Sequence, residues 1–148
     1  MSGLEPDDVE PDRLRLAATA TNVPRISDFV REAGKRLRLT EDVRFDIDLA
    51  VEEASTNIVR HAYGPDRAGD IEVRVEAAVD AVRITFTDWG LPFEADPSHL
   101  AVDVPLEERA EGGMGLLLVD KLMDEVARET ASTPGGPNVL ILVKNIEH

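Results

Sequence analysis

Apolar residues recur along this chain with two different periods, and the alternation of these periods predicts its secondary structure. From Leu14 to Ala20 every second residue is apolar, which is the pattern of a half-buried strand. The spacing then changes to that of a helix, which is predicted from about residue 23 to 38. Asn22 directly precedes this helix and belongs to a residue type that caps helix N-termini.

The longest periodic segment predicts a second helix, which runs from Val43 to about Ala62. Thr40 is its predicted N-cap, and two acidic residues follow in the first turn, where the helix dipole favours negative charge. A Gly-Pro pair at 64–65 is predicted to end the segment. The predicted buried stripe consists of the apolar residues at helical spacing, Val43, Ile47, Ala50, Val51, Ala54 and Ile58.

Two strands with a clean alternation follow at 71–77 and 82–86, and a short turn joins them as a hairpin. The stretch from Trp89 to Gly113 shows neither period and contains three prolines. Long segments without regular structure are usually functional in small domains, so residues of about 91–112 are predicted to form a lid. The last predicted elements are a helix at 114–122 and strands at 125–131 and 139–143.

The order of these elements is β-α-α-β-β, lid, α-β-β. Runs of helices and antiparallel hairpins favour an α+β fold, a two-layer α/β sandwich. Its sheet is expected to be mixed but mostly antiparallel, with the helices on one face. Residues 1–11 are acidic and are predicted to form a disordered tail, and residues 12–148 a single domain.

Composition narrows the possible functions. Lys and Arg number 16 and Asp and Glu 30 among 148 residues, a formal net charge of −14. This charge argues against nucleic acid and anionic membrane surfaces as partners, since both attract basic patches. Cysteine is absent, which excludes disulfides and thiolate metal sites. The acidic N-terminus does not resemble a signal peptide and no apolar stretch is long enough to span a membrane, so a cytoplasmic protein is expected.

The second helix carries the first candidate site. Glu53, Asn57 and His61 are spaced i, i+4 and i+8, so they lie on one face, one turn apart. A carboxylate and an amide offer hard oxygens to Mg²⁺ or to a positioned water. The alternative interpretation is that they are solvated polar residues of an amphipathic helix.

A second candidate is the aspartate that ends an apolar strand, in Thr87-Asp88-Trp89-Gly90. A strand-end carboxylate accepts a hydrogen bond from an exocyclic amine such as that of adenine, and the glycine lets the backbone approach a flat ligand. A plain Asx turn that ends the hairpin would explain the same residues.

A third candidate is the glycine-rich stretch from Glu111 to Gly115, which runs directly into a predicted helix. Its backbone N–H groups and the positive end of the helix dipole suit a phosphate, although one glycine loop is weak evidence. Such a site needs neither Lys nor Arg, so the net charge of −14 does not exclude a polyphosphate.

The three motifs together resemble the ATP-binding fold shared by gyrase B, the Hsp90 chaperone, histidine kinases and MutL, the GHKL superfamily. Within it the sequence is similar to the stand-alone serine kinases that act as bacterial anti-sigma factors, the RsbW and SpoIIAB family. The resemblance covers residues of about 12–145, and a histidine-kinase-like ATPase fold is the expectation that follows.

The resemblance implies a role for each motif. Asn57 matches the Mg²⁺ ligand between the phosphates, and Glu53 matches the proposed general base on the acceptor serine. Asp88 matches the residue that binds the adenine amino group, with Gly90 beside it. Further cofactor-binding residues implied are Arg60 and His61 beside the pocket, Arg109 in the lid, the phosphate loop of Gly113, Met114 and Gly115, and Asn138.

Three positions depart from the family pattern. Pro92 stands in place of the second glycine after Asp88, which removes an N–H donor and fixes φ. Ala62 stands where many relatives have glycine. The threonine often found before the last strand is absent, and Asn138 is the expected substitute.

The resemblance implies an anti-sigma factor-type serine/threonine protein kinase that uses ATP and Mg²⁺. It would phosphorylate a STAS-domain anti-anti-sigma protein, sequester a sigma factor or similar target, and form a homodimer. Arg25 lies near the position of the family's docking arginine. The alternatives are a nucleotide-binding regulatory switch without kinase activity, a detached histidine-kinase catalytic domain, and a structural domain without a nucleotide.

Overall fold

The computed structural model describes residues 9–10, 12–63, 68–90, 113–133 and 135–146. Within these residues, six strands and three α-helices follow one another along the chain, with a short 3₁₀ helix at Ala20–Asn22 before the first α-helix. They are β1 (Val9–Glu10), β2 (Arg13–Ala17), α1 (Val23–Arg36), α2 (Glu41–His61), β3 (Asp70–Ala77), β4 (Ala81–Asp88), α3 (Gly113–Leu122), β5 (Glu125–Glu129) and β6 (Asn138–Asn145).

The strands form one sheet in the order β1-β2-β3-β4-β6-β5. All five pairings between the described strands are antiparallel. The predicted two-layer α+β architecture is confirmed, whereas the expected mixed sheet is antiparallel throughout its described part. The order also separates β5 from β4, because β6 pairs with both.

Alternation along the strands places one face of the sheet against the helices. On β4, Val82, Ile84 and Phe86 are almost completely buried, while Arg83 between them is exposed. On α2 the predicted stripe is buried at Ile47, Ala50, Val51 and Ala54, and partly buried at Val43 and Ile58. These residues meet in one apolar cluster, so the helices cover a single face of the sheet.

Of the two predicted N-caps, Thr40 caps its helix and Asn22 does not. Val43 N donates to Thr40 Oγ1 over 3.3 Å, so Thr40 caps α2 as expected. Asn22 makes no side-chain cap bond with α1, and its Nδ2 donates instead to Ala17 O over 2.8 Å. The reason is local, because a short 3₁₀ helix before α1 holds Asn22 in a helical conformation rather than the extended one a cap requires.

The first strand corrects the expectation for the N-terminal tail. Val9 pairs with Leu14 and Glu10 with Arg13, so these two residues form a short edge strand. Strand pairing uses backbone groups, which an apolar pattern does not reveal. No helix in the described ranges combines the length and the apolar character that crossing a membrane requires.

Lys144 on β6 connects the helices α2 and α3 to the sheet. Its Nζ donates to Asp46 Oδ2 on α2 over 2.9 Å and to Leu122 O, at the C-terminal end of α3, over 2.6 Å. The Lys144 side chain is 15% exposed, so solvent screens these contacts only partly. The Lys144 amine therefore holds the start of α2 and the end of α3 beside the same position on β6.

Replacement of Lys144 by methionine is expected to lower the free energy of unfolding by about 1–3 kcal/mol, because both contacts are lost at a largely buried position. The control is Lys35→Met, whose ion pair with Glu32 joins side chains that are 53% and 62% exposed. An effect below about 0.5 kcal/mol is expected there. Urea unfolding of both variants measures the loss in the free energy of unfolding. Equal losses in the two variants would contradict the role of Lys144 in holding α2 and α3 to the sheet.

Candidate functional site

A cavity lies between the C-terminal half of α2 and the sheet, where β4 ends and β6 begins. Its apolar wall includes Ile58 and Leu140. Its polar lining residues are Asn57, His61, Asp88, Arg128, Thr130 and Asn138. Three of the sequence motifs' residues, Asn57, His61 and Asp88, are thus brought together around one space.

Asp88 and Asn138 form a buried polar pair in the lining of this cavity. They are register partners on β4 and β6, and their exposed fractions are 7% and 8%. Asn138 Nδ2 donates to Asp88 Oδ1 over 3.0 Å and to Gly90 O over 3.2 Å. Asn138 Oδ1 accepts from Ala131 N over 2.9 Å, which fixes the orientation of the amide.

These contacts occupy only one oxygen of the carboxylate. Asp88 Oδ1 accepts from Asn138 Nδ2 and also from Gly90 N, over 3.0 Å. Among the described residues, no hydrogen bond is recorded for Oδ2. An ionised carboxylate only accepts hydrogen bonds, so this oxygen is suited to a ligand that presents an N–H group.

Gly90 is required by the close approach of two chain segments. A Cβ atom at this position would lie 2.8 Å from the Ala62 Cβ and closer still to the Ala62 carbonyl. The end of β4 is thereby pressed against the residues that follow α2. The glycine after Asp88 therefore serves packing between segments, whereas the sequence had suggested only backbone access for a ligand.

Tyr63 connects the same segments by hydrogen bonds. Its hydroxyl donates to Asp70 O over 2.6 Å and accepts from Trp89 N over 2.9 Å. Arg15 of β2 completes the cluster, because its Nε lies 3.1 Å from Asp70 Oδ2 and its guanidinium lies 4.5 Å from the centre of the Trp89 ring. Burial raises the pKa of the Tyr63 phenol above its ordinary value.

Replacement of Tyr63 by phenylalanine is expected to destabilise the protein by about 1–3 kcal/mol at neutral pH, because two hydrogen bonds of a buried hydroxyl are lost. The difference in the free energy of unfolding between the wild type and this variant should shrink as the pH rises above about 10, the ordinary pKa of tyrosine. The folded pKa is raised, so the unfolded chain loses the proton first and the stabilisation is lost with rising pH. Denaturant unfolding followed by fluorescence of the single tryptophan measures it; a constant difference up to about pH 11 would contradict this account.

The α2 residues of the first motif are spread along one helix and differ in their relation to the cavity. Asn57 and His61 line it, as does Ile58 between them. Glu53 lies one turn before Asn57, is partly exposed, and is not among the lining residues. Arg60 is exposed and does not line the cavity either.

Other candidates lie elsewhere. Gly113, Met114 and Gly115, which the sequence placed where the glycine-rich stretch runs into a helix from about residue 114, form the first turn of α3. Arg25 is exposed near the start of α1, and its Nη1 donates to Asn22 Oδ1 over 3.4 Å. Arg109, Pro92 and the rest of the predicted lid lie outside the described residues.

Sequence reasoning missed two polar lining residues, Arg128 and Thr130. Arg128 belongs to β5 and Thr130 follows that strand directly. The available signal was the alternation of side chains along the strand. Arg128 lies two residues after Val126 and therefore shares the face that Val126 turns to the core, while Thr130, two residues further on, is exposed. Burial lowers the pKa of Arg128 from its ordinary value, because a cation removed from water is destabilised.

The family model for the histidine kinase-like ATPase domain matches residues 16–144. With the antiparallel sheet, the helices on one face and the cavity beside Asp88, this match shows that the chain belongs to the histidine kinase-like ATPase domain family.

The curated relatives specify the branch of that family. Serine-protein kinase RsbW of Bacillus subtilis (strain 168) is 36% identical over 101 residues, which cover 62% of this chain and 60% of the relative. Serine-protein kinase RsbW of Staphylococcus aureus (strain JH9) is 33% identical over 119 residues, which cover 76% and 75%. The chain therefore belongs to the RsbW family, although the match spans only about 60% of the Bacillus subtilis relative's length.

A solved structure supports the fold independently. The crystal structure of the RsbU and RsbW domains of a Mycobacterium tuberculosis protein matches with a TM-score of 0.62 at 18% sequence identity. The match covers 92% of this chain and 33% of that chain. At this identity the likeness establishes the fold alone.

Proposed function

We propose that this protein is an anti-sigma factor-type serine/threonine kinase. It binds Mg-ATP, phosphorylates a STAS-domain anti-anti-sigma protein, and sequesters a sigma factor or similar target in partner switching. The observation that carries the proposal is the buried Asp88–Asn138 pair, which lines the same cavity as Asn57. The RsbW relatives, whose printed name is Serine-protein kinase, support the reaction type.

The residues present fit an adenine nucleotide. Asp88 Oδ2 would accept a hydrogen bond from the exocyclic amine of the base, while the amide of Asn138 holds Oδ1 in place. Ile58 and Leu140 provide apolar surface for the flat ring. A base that presents a carbonyl oxygen at this position would face a carboxylate acceptor and bind less well.

The residues for the phosphate end are Asn57 and the first turn of α3. The amide oxygen of Asn57 is a hard ligand of the kind that Mg²⁺ prefers. No cluster of three or more potential His, Cys, Asp or Glu ligands occurs in the described residues, so phosphate and water oxygens would complete the metal's shell. Backbone N–H groups at Gly113 and Gly115 would hold phosphate oxygens, with Arg109 of the lid as a further cation.

In the proposed reaction ATP with magnesium supplies the transferable phosphoryl group. Glu53, one turn before Asn57, would orient the acceptor hydroxyl and take its proton. Phosphoryl transfer depends mainly on positioning and charge neutralisation, so a few residues on a rigid helix suffice. The exposed His61 and Arg60 would flank the entrance on the same helix.

The proposal includes its partners and location. A STAS-domain protein would present the acceptor serine or threonine, and a sigma factor would be the alternative partner. Arg25 at the start of α1 is exposed and is proposed as part of the docking surface. A homodimer and a cytoplasmic location complete the proposal.

The test is transfer from labelled ATP to a purified STAS-domain protein, with a variant of that protein in which alanine replaces the acceptor serine as the control. Label on the serine form alone is the expected result. Label on a histidine instead would favour a detached histidine-kinase catalytic domain.

A nucleotide-binding switch without kinase activity is the second candidate. The observation that favours it is Pro92, which replaces the second glycine of the family's Asp-x-Gly-x-Gly motif. Calorimetric binding of Mg-ATP without transfer to any STAS-domain protein would support the switch, and stoichiometric transfer would exclude it.

A further inference from the structure

Arg128 places a cation inside the cavity that the proposed function assigns to a nucleotide. It is partly buried, lines the cavity together with Asn57 and Asp88, and pairs in register with Leu140 on β6. It is the one Lys or Arg residue among the cavity's described lining residues. The motifs that suggested a nucleotide did not include it.

Contacts of Lys144 fix where Arg128 lies along the helices. Lys144 contacts Asp46 on α2 and the C-terminal end of α3, so these three points share one level. From this level, four residues of β6 lead to Leu140, the register partner of Arg128, which is about 13 Å at the usual rise per strand residue.

Helix α2 covers a similar distance from its own contact point. Eleven residues separate Asp46 from Asn57 on α2, which is about 16 Å at 1.5 Å per residue. Asn57 and Leu140 line one cavity, so α2 runs toward it and β6 begins beside it. Arg128 therefore lies near the level of Asn57, with which it lines the cavity.

Arg128 and Asp88 line the cavity from different strands of the sheet. Asp88 pairs with Asn138, whereas Arg128 pairs with Leu140, two residues further into β6. β5 is also two strands away from β4 in the sheet order. Arg128 and Asp88 thus line the sheet side of the cavity from different strands, while Asn57 lines it from α2.

A partly buried guanidinium in this place suits an anion. A guanidinium presents several N–H donors in a plane and binds phosphate oxygens in pairs. Burial lowers the pKa of Arg128, and a bound phosphate would offset that effect. In a chain of net charge −14, a local cation also weakens the repulsion of a polyphosphate.

We propose that Arg128 is a further nucleotide-binding residue, which contacts the phosphate chain of a nucleoside polyphosphate from the sheet side of the cavity. The inference rests on the proposed function, because it assigns a residue to the same site. It adds a side-chain cation on β5 to the metal ligand on α2 and the backbone donors of α3.

The experiment compares binding of Mg-ATP, Mg-ADP and adenosine to the wild type, Arg128→Met and Arg128→Lys by calorimetry. The matched control is Arg83→Met, which removes an exposed arginine from the opposite face of β4. Arg128→Met is expected to weaken Mg-ATP binding by about 10- to 100-fold, the usual contribution of a charge-assisted hydrogen bond. Adenosine binding should change by less than about twofold, and the control should match the wild type for all three ligands.

The outcomes separate this inference from the function on which it rests. Equal losses for adenosine and Mg-ATP, or no loss for either, would overturn the phosphate role of Arg128. Failure of the wild type to bind any of the three ligands would overturn the proposed function itself. If Arg128→Met melts below the assay temperature, Arg128→Lys decides the question. This variant retains the charge, so it should weaken Mg-ATP binding less than tenfold and leave adenosine binding unchanged. An equal loss of adenosine binding would contradict the proposal.

Discussion

Replacement of Asn57 by alanine is expected to lower the rate of phosphoryl transfer by about a hundred- to a thousandfold. Removal of one preorganised group that stabilises developing charge typically has an effect of this size. The Asn57 side chain is partly buried on α2, lines the cavity, and carries the amide oxygen proposed to bind the metal. Alanine keeps the helix but offers no oxygen, so the phosphate charge would be left less neutralised.

The variant should fold normally, because alanine has a higher helix propensity than asparagine. Thr56→Ala is the matched control, since Thr56 is the partly buried neighbour on the same helix and does not line the cavity. Asn57→Asp retains a hard oxygen and should keep more activity than Asn57→Ala. Single-turnover transfer from labelled ATP measures the rates, and full transfer by Asn57→Ala would refute the proposed kinase mechanism.

Replacement of Gly90 by alanine is expected to destabilise the protein by about 3 kcal/mol or more, because the added methyl group has no space. Its Cβ would lie 2.8 Å from the Ala62 Cβ and closer to the Ala62 backbone carbonyl. Backbone cannot rotate away as a flexible side chain does, so the end of β4 must move. That movement would displace Gly90 N and O from Asp88 and Asn138, and nucleotide binding should weaken as well.

Gly34→Ala is the matched control for this substitution. Gly34 is a buried residue of α1, and the nearest atom to its added Cβ would be Arg44 Cγ at 3.4 Å, in a side chain that can adjust. In a helix the same change is expected to stabilise by up to about 1 kcal/mol. Urea unfolding measures both variants. A loss at Gly90 no greater than about 1 kcal/mol would show that the two segments separate easily.

Local patterns predicted the described elements well because they report which face of a segment is buried. The alternation around Phe86 and the stripe through Ile47 and Ala54 led to a strand and a helix that the structure contains. The pattern failed where a backbone conformation decided the outcome, as at Asn22, which the preceding 3₁₀ turn keeps from capping α1. Strand limits also moved, since β2 ends at Ala17 although the alternation continues beyond it.

The candidate site was only partly accessible to the same reasoning. Asn57 and Asp88 were found because their residue types and neighbours resemble a known motif, and both line the cavity. Arg128 was missed, since a single arginine in a short strand has no motif. Nor did a local pattern indicate that the Tyr63 hydroxyl joins the chain before β3 to the chain after β4.

The sequence by itself determined the element types, the α+β class and the motif residues, because periodicity and residue chemistry are properties of neighbours along the chain. The tertiary structure decided which distant residues meet. Asp88 contacts Asn138 only because β6 pairs with β4 in one register, and Arg128 enters the cavity only because β5 pairs with β6 in another. A register is set by packing and hydrogen bonds across the whole sheet, and a shift by one residue would turn each of these side chains to the opposite face.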